Sequence, residues 1–585
     1  MVVIRLLVFA VLVIAVNVGY SAYIDSIFQF QQGLVFPHQW ILWGVRLYGY
    51  YPWILAYGIG VNGAFLTIIA LFLSLFLYQT NSLKRQHGVH GKASFLTVKE
   101  LKKIPVLSSN KIKSSEAIFL GKTGKNNFLQ HSGVEHVFVS APTRSGKGVS
   151  IIVPTLLTWS ASCVVIDIKG ELWAITSKWR LSGVNNHVVK LNLAVHDPEN
   201  GAYFNPLCEI RLGTEFETRD VFNLALAIND PKGEGLNTHW NRAGYGFLGG
   251  LILHVLYKYK CLKKPTPSLK DVYQYLVSSK KGYDFILNDM MIFEHTDSGV
   301  CEYVACEARS MVGKEHRERS GVFSTIDAFL KPFNDIALGE ITSRSDFSIH
   351  DLMHSKKPIS LYIIVPPSDL NRLKPVLRII VELITARNTE QLKFSSGLPQ
   401  KSYNHRLLLV LDEFPALGAL ENFETSLAYL AGYGIRALII TQDKSQLDKV
   451  YGQNEVISPN CHIHAVFAPN ELKTAKWVSE RLGNKTVNLK SNQLSGGRGV
   501  ALKHKVSTSM NYVGRPLMRP EEVMKIKGLG KNKRGEVVSS GRVLILIAGQ
   551  NPILGQQELY FQNPELKRRA KFGEATCSSV LVEAS

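Results

Sequence analysis

The stretch Ala141-Pro-Thr-Arg-Ser-Gly-Lys-Gly-Val-Ser150 decides how the rest of this chain is read. It follows the apolar run HVFVS at 136–140 and precedes another at 151–157. Strand, glycine–lysine turn, helix is the setting of a phosphate-binding loop. Backbone N–H groups wrap the phosphates, the helix N-terminus adds partial positive charge, and a lysine reaches the terminal phosphates. The usual pattern is G-x-x-x-x-G-K-[ST]; here Ala141 stands at the first glycine and Gly148 at the hydroxyl residue. The stretch predicts nucleotide binding through Thr143, Arg144, Ser145, Gly146, Lys147, Gly148 and Val149. The hydroxyl that normally ligates magnesium is missing. Thr143, Ser145 or a water can substitute, and the sequence does not choose among them.

A second stretch supports the first. Arg406-Leu-Leu-Leu-Val-Leu-Asp-Glu-Phe-Pro415 is an apolar run ending in two acids. That is the Walker B arrangement: Asp412 faces Mg²⁺ through its water shell, and Glu413 faces the water that attacks the γ-phosphate. Adjacent carboxylates just past a buried strand are costly without a cation to meet. The next apolar run, Ile435–Thr441, ends in Gln442, a residue suited to contacting a γ-phosphate or positioning the water. Asp167, before Lys169-Gly-Glu171, has two readings: a cap for the following helix, or part of a loop facing the nucleotide.

Short β-branched runs recur from about residue 130. The predicted strands are His136–Ser140, Ser162–Ile168, His187–Leu191, Ile359–Val365, Arg406–Leu411, Ile435–Thr441, His462–Phe467 and Arg542–Ala548. Strands separated by helices imply an α/β fold with a largely parallel sheet covered on both faces. Helices are expected at Lys147–Trp159, kinked or ended by Pro154, and at Glu171–Arg180. Between Cys208 and Arg344 strand signals vanish, and helical periodicity covers Thr214–Ile228, His239–Tyr259, Ser268–Val277 and Cys301–Leu330. This block reads as an inserted all-α domain rather than a cluster of crossover helices. Residues 394–405 read as an exposed loop. The expected organisation is a membrane anchor at 1–80, a nucleotide-binding domain at 81–207 and 346–562, the all-α domain at 208–345, and a tail at 563–585.

The anchor rests on two segments. Leu6–Ile24 is almost wholly apolar, and Trp53–Tyr78 carries no charged residue; about 20 apolar residues cross a bilayer. A cleaved signal peptide is the alternative for the first. Trp40, Trp43, Tyr48, Tyr50, Tyr51 and Trp53 resemble an interfacial aromatic belt, and Lys84, Arg85, Lys92, Lys99, Lys102 and Lys103 follow the second segment. By the positive-inside rule, residues 79–585 are then cytoplasmic. A formal net charge of +20 favours nucleic acid or an anionic membrane face as partner. The seven cysteines show no C-x₂-C pair and read as reduced, buried thiols.

With these residues in place the chain resembles the type IV coupling proteins of the TraG family, membrane ATPases of conjugation and type IV secretion. The likeness runs through His90-Gly91-Lys92-Ala93, APTRSGKGV at 141–149, Val153-Pro-Thr-Leu-Leu157, VVIDIKGEL at 164–172 and Phe204-Asn-Pro-Leu207. It continues through Glu318-Arg-Ser-Gly321, Thr342-Ser-Arg-Ser-Asp-Phe347, LYIIVPPSD at 361–369, VLDEFPALG at 410–418, Asn460-Cys461, FAPNELKTA at 467–475 and Gly514-Arg-Pro-Leu517. APTRSGKG is the usual form in the branch this chain resembles, so Ala141 and Gly148 do not mark a dead site.

The resemblance implies a RecA-like P-loop ATPase domain with an inserted all-α domain, preceded by two transmembrane helices. It also implies a homohexamer at the bacterial inner membrane, ATP and Mg²⁺ as cofactors, and DNA with a relaxase-type nucleoprotein, or secreted effectors, as partners. Inner-membrane components of a secretion channel are further expected partners. Lys147, Asp412, Glu413 and Gln442 carry over to matching positions. An arginine finger does not, with Arg436 and Arg378 both open. The basic, glycine-rich loop 495–505 is either a strand-contacting loop or a solvated surface loop. Two other functions stay in view: a receptor selecting protein effectors, and a chromosomal DNA translocase, which the inserted block argues against.

Overall fold

The apolar runs assemble into one large sheet in the computed structural model. The structure describes residues 2–577 apart from 30–35, scattered positions within 61–74, 75–88, short stretches between 102 and 126, 230–235, 237, 278–281, 392, 396–397 and 496–504. The chain divides into two units, Met1–Lys92 with Lys485–Gly514, and Ala93–Asn484 with Arg515–Ser585.

The strands, in chain order, begin with β1 Ser108–Ser109, β2 Ile118–Thr123, β3 Asn127–His131, β4 Val137–Ser140, β5 Ser162–Asp167 and β6 His187–Asn192. Next come β7 Ile359–Ile364, β8 Lys393–Ser395, β9 Leu398–Gln400, β10 Leu407–Leu411, β11 Ile435–Thr441 and β12 Ile463–Val466. The last six are β13 Asn484–Ser495, β14 Lys505–Pro516, β15 Gly530–Lys531, β16 Val537–Ser539, β17 Arg542–Ile547 and β18 Ile553–Gln556. Twelve of them form the sheet, in the order β1-β3-β2-β18-β17-β12-β4-β11-β10-β5-β7-β6. From β12 to β6 every pairing is parallel, and from β12 back to β1 every pairing is antiparallel.

Alternation along each parallel strand explains the layers, because successive side chains leave opposite faces. Phe138, Val164, Ile166, Leu409, Leu411, Ala437 and Ile439 enter one core, shared with Phe247, Leu251 and Phe323 of the helical block. Val137, Val139, Cys163, Val165, Leu408, Val410, Leu438 and Ile440 enter the other, with Leu156, Trp159, Trp173 and Trp179. Both faces are covered, as a parallel sheet requires.

Between β6 and β7 the described residues hold helices and no named strand: Glu217–Asn229, His239–Cys261, Leu269–Val277, Tyr283–Ile292, Glu302–Val312 and His316–Leu330 are the longest before β7. Their core is continuous with that of the sheet. Two expectations need correction here. The span Cys301–Leu330 is two helices, parted at Gly313–Glu315, and Tyr283–Ile292 is an extra helix. The predicted loop 394–405 contains part of a hairpin, β8 with β9. At the far end, the basic stretch 567–571 lies largely on a helix, Pro564–Ala570, and its Arg569 is buried, donating to the Leu157 carbonyl at 2.8 Å. Of the cysteines, Cys163 and Cys461 are buried, whereas Cys208, Cys261 and Cys306 are exposed.

In the first unit, the helix Val2–Phe28 contributes Asn17, which bonds Asn62 at 3.0 Å and accepts from the Trp40 indole at 2.8 Å. Among the described residues no helix is long and apolar enough to cross a membrane. Much of both predicted spans, and the loop 496–504, lies outside the residues whose side chains are described.

Candidate nucleotide site

The site forms at the carboxyl ends of β4, β11 and β10, where a parallel sheet presents its loops. β11 lies between the strand that leads into the glycine–lysine turn and the strand that ends in Asp412. Register ties the three together: Leu438 pairs with both Val137 and Val410, and Thr441 with Ser140. The Ala141 N–H then donates to the Thr441 carbonyl at 2.9 Å, closing the mouth of the turn.

After β4 the chain turns sharply. Arg144 takes a left-handed backbone (φ 61°), Gly146 has φ 95°, and a π-helical turn runs from Gly148 to Ile152. The wide turn has a local cause. Pro154 has no N–H to offer the preceding turn, and the Val153 N–H reaches back five residues to Gly148. The α-helix Val153–Thr158 follows with Pro154 in its first turn.

The predicted residues meet as follows. Lys147 Nζ lies 2.8 Å from Asp412 Oδ1 and 3.0 Å from Glu413 Oε2. Burial pulls this ammonium down, but the Asp412 and Glu413 carboxylates outweigh it and hold its pKa above the ordinary lysine value. Thr143 Oγ1 donates to Gln442 Oε1 at 3.5 Å, so the end of β11 touches the loop. Thr143 and Arg144 are exposed, and the Val149 carbonyl accepts from the Tyr560 N–H at 3.1 Å. Glu413 sits in the left-handed region (φ 56°, ψ 47°), which costs a non-glycine residue about 1–3 kcal/mol.

The surroundings suit a metal-bound polyphosphate. Ser145 Oγ and Thr441 Oγ1 are buried atoms with no hydrogen-bond partner among the described residues. Ser150 Oγ is already spent on the Gly146 carbonyl at 2.7 Å. Beside Gly148 there is open space where the usual hydroxyl side chain would stand.

Residues 85–582 match the family described as type IV secretory system conjugative DNA transfer. The chain belongs to that family. Two Escherichia coli proteins named conjugal transfer protein TraG are similar to it: one is 35% identical over 97% of this chain and 92% of the relative, the other 38% identical over 84% and 79%. Protein VirD4 of Agrobacterium fabrum is 28% identical over 83% of this chain and 68% of its own. Plasmid coupling protein TrwB, solved in complex with ADP and Mg²⁺, shares the fold: TM-score 0.55, 17% identity, 80% of this chain and 94% of that one.

In this type IV secretion coupling protein, Asp167 is a cap. Its carboxylate is 2% exposed and accepts from the Trp173 N–H at 2.8 Å and the Lys169 N–H at 3.3 Å. Burial raises its pKa against those N–H groups. Arg436 lies at the opposite end of β11 from Gln442, 1% exposed, donating to the Glu116 and His131 carbonyls at 2.9 and 3.3 Å. In this fold it is a buried clamp between the start of β11 and the segments at Glu116 and His131. Arg378 is 3% exposed and donates to the Ala419 carbonyl.

Three residues of the coupling protein's site carried no signal in the sequence. Gln557 Nε2 donates to the Ser145 carbonyl at 2.9 Å, while its Oε1 accepts from the Gly541 N–H at 3.0 Å. Leu529 lies directly over Gly146. Tyr451 packs behind Glu413 through Phe414. Each reaches the site only through tertiary closure.

Proposed function

We propose that this protein is a membrane-anchored, hexameric ATPase that recruits a DNA–relaxase complex or protein substrates to a type IV secretion channel and drives their transfer by ATP hydrolysis. One observation carries the reading: β11 between β4 and β10 brings Gln442, Lys147, Asp412 and Glu413 to one edge of the sheet.

Lys147 leaves its two carboxylates to meet the β- and γ-phosphates. Asp412, so released, would help hold Mg²⁺, with Ser145 Oγ, a buried hydroxyl without a hydrogen-bond partner among the described residues, as a candidate on the loop. Glu413 accepts a proton from the attacking water as its oxygen bonds to the γ-phosphorus and the bond to ADP breaks; Gln442 orients that water. Bound Mg²⁺ supplies neutralisation of the phosphate charge.

The anchor reading draws on the two apolar segments, 6–24 and 53–78, and on the Asn17–Asn62 bond between them. Polar pairs of this kind hold membrane helices together. Exposed Leu42, Tyr57, Ile59 and Leu71 suit a lipid-facing surface. In this reading the 208–345 block forms an all-α domain that meets the substrate, and the +20 charge favours a polyanion.

The test is ATPase activity of the full chain in detergent, with and without single- and double-stranded DNA. Glu413→Gln is expected to retain nucleotide binding and lose turnover, and Lys147→Ala to weaken both. Undiminished turnover in Glu413→Gln would sink the Walker B role. Turnover that no DNA stimulates, in any assembly state, would favour a receptor for protein effectors.

A further inference from the structure

Glu413 holds its carboxylate in place from a left-handed backbone, and the turn after it must be fixed from outside. We propose that Tyr451 is the positioning residue for Glu413, gripping the turn and strap that follow it. The inference rests on the ATPase reading above. Phe414–Leu417 is a 3₁₀ turn closed by Ala416 N–H to the Glu413 carbonyl at 2.9 Å and Gly418 N–H to the Pro415 carbonyl at 3.1 Å. Those bonds shape the turn without tying it to anything else.

Tyr451 supplies the tie at both ends. Its ring lies 4° from parallel with the buried Phe414 ring, centroids 5.7 Å apart. Its hydroxyl donates to the Gly418 carbonyl and accepts from the Leu420 N–H, both at 3.1 Å. One side chain therefore holds the residue directly after Glu413 and the strap five to seven residues on.

Tyr451 is also the last residue of the helix Lys444–Tyr451, which starts two residues after Gln442. That helix is stiff. Asp443 accepts from the Gln446 N–H at 2.8 Å, Gln442 N–H reaches Gln446 Oε1 at 3.4 Å, and the Lys444 ammonium bridges Asp448 and Glu455. The Lys444 N–H is further pinned to Thr474 Oγ1 at 3.1 Å. Gln442 and Tyr451 are thus two ends of one braced strut, and a shift of Gln442 reaches the Glu413 turn through it.

The test uses full-length protein in detergent. Tyr451→Phe keeps the ring on Phe414 and removes only the bridge between Gly418 and Leu420. The expected result is a roughly tenfold fall in kcat, because small misplacements of a reacting group are that costly, with the KM for ATP within about twofold. Hydrogen exchange gives a readout independent of turnover: amides of 413–420 exchange faster in Tyr451→Phe, and those of β4 and β10 do not. Wild-type kcat in Tyr451→Phe, a KM for ATP that rises as far as kcat falls, or unchanged exchange over 413–420 overturns the proposal. Absence of ATP turnover in the wild type overturns the ATPase reading instead, and the exchange arm then decides on Tyr451 alone.

Discussion

Two glycines flank the lysine of the phosphate loop, and their surroundings differ. At Gly146, φ is 95° and a Cβ would stand 2.7 Å from Leu529 Cδ1; at Gly148, nothing lies within 4 Å. Only the first position needs glycine. Gly146→Ala is expected to weaken nucleotide binding about tenfold or more, given the 1–3 kcal/mol of strain at such a backbone. Gly148→Ser is expected to bind nucleotide as the wild type does, at the same or lower Mg²⁺ concentration, because a hydroxyl then stands where one usually ligates the ion. Titration of a fluorescent nucleotide across Mg²⁺ concentrations checks both. Weakened binding in Gly148→Ser would mean that the site rejects a hydroxyl there. The sequence identified this loop because its residues are contiguous; Leu529, which lies over Gly146, was invisible for the opposite reason.

At the scale of elements, a charge network joins the helical block to the sheet's own helices. Arg211 meets Asp220 through both Nε and Nη2, at 2.7 and 2.6 Å, and Glu390 at 2.8 Å; Arg387 meets Glu390 at 3.0 Å and Asp220 at 3.9 Å. Hydrogen bonds donated to Asp220, offset in part by burial, raise the Arg211 pKa. Asp220 lies on Glu217–Asn229, while Arg387 ends the helix Leu370–Arg387, which follows β7. Asp220→Ala leaves Arg211 and Arg387 with one fewer acid between them. The expected loss is about 2 kcal/mol, below that of a fully buried pair because Arg211 keeps some solvent. Chemical denaturation measures it, and a loss within experimental error would show that the pairs are surface ornaments. Helical periodicity located most of the block. It merged the two helices on either side of Gly313 because apolar residues recur in phase across the break, and it overlooked Tyr283–Ile292, whose apolar residues run together.

For the whole molecule, buried neutral histidines set the acid limit. His136 Nε2 pairs with the Leu427 carbonyl at 2.9 Å while Nδ1 accepts from the Ala437 N–H at 3.0 Å; His295 Nδ1 likewise accepts from the Cys301 N–H at 3.1 Å. A second proton would break the bond at Nδ1. Burial lowers both to about 4, helped by Arg436 at the first and His254 at the second. From the ordinary value of 6.5 down to about 4 the unfolded chain binds protons that the folded chain refuses, so stability falls as pH drops through that window. The thermal midpoint should decline steadily from pH 6.5 to 4.5, and His136→Gln should flatten the slope. The seven parallel strands were legible as short, mainly apolar and β-branched runs, buried throughout in all but the edge strand β6. The antiparallel half was largely not: β2 carries Gly121 at φ 136° and a register shift, and β3 mixes Asn127, Gln130 and His131 among its apolar residues.

The contact of Gln557 with the Ser145 carbonyl, and of the Tyr560 N–H with the Val149 carbonyl, also dates the site within the life of the chain. Residues 141–150 leave the ribosome about 400 residues ahead of these two supports. At ordinary elongation rates the interval is on the order of 20–80 s. A nascent chain therefore carries an unfinished phosphate loop throughout that interval, and a chain cut short before Gln557 has every nucleotide motif and lacks these two contacts.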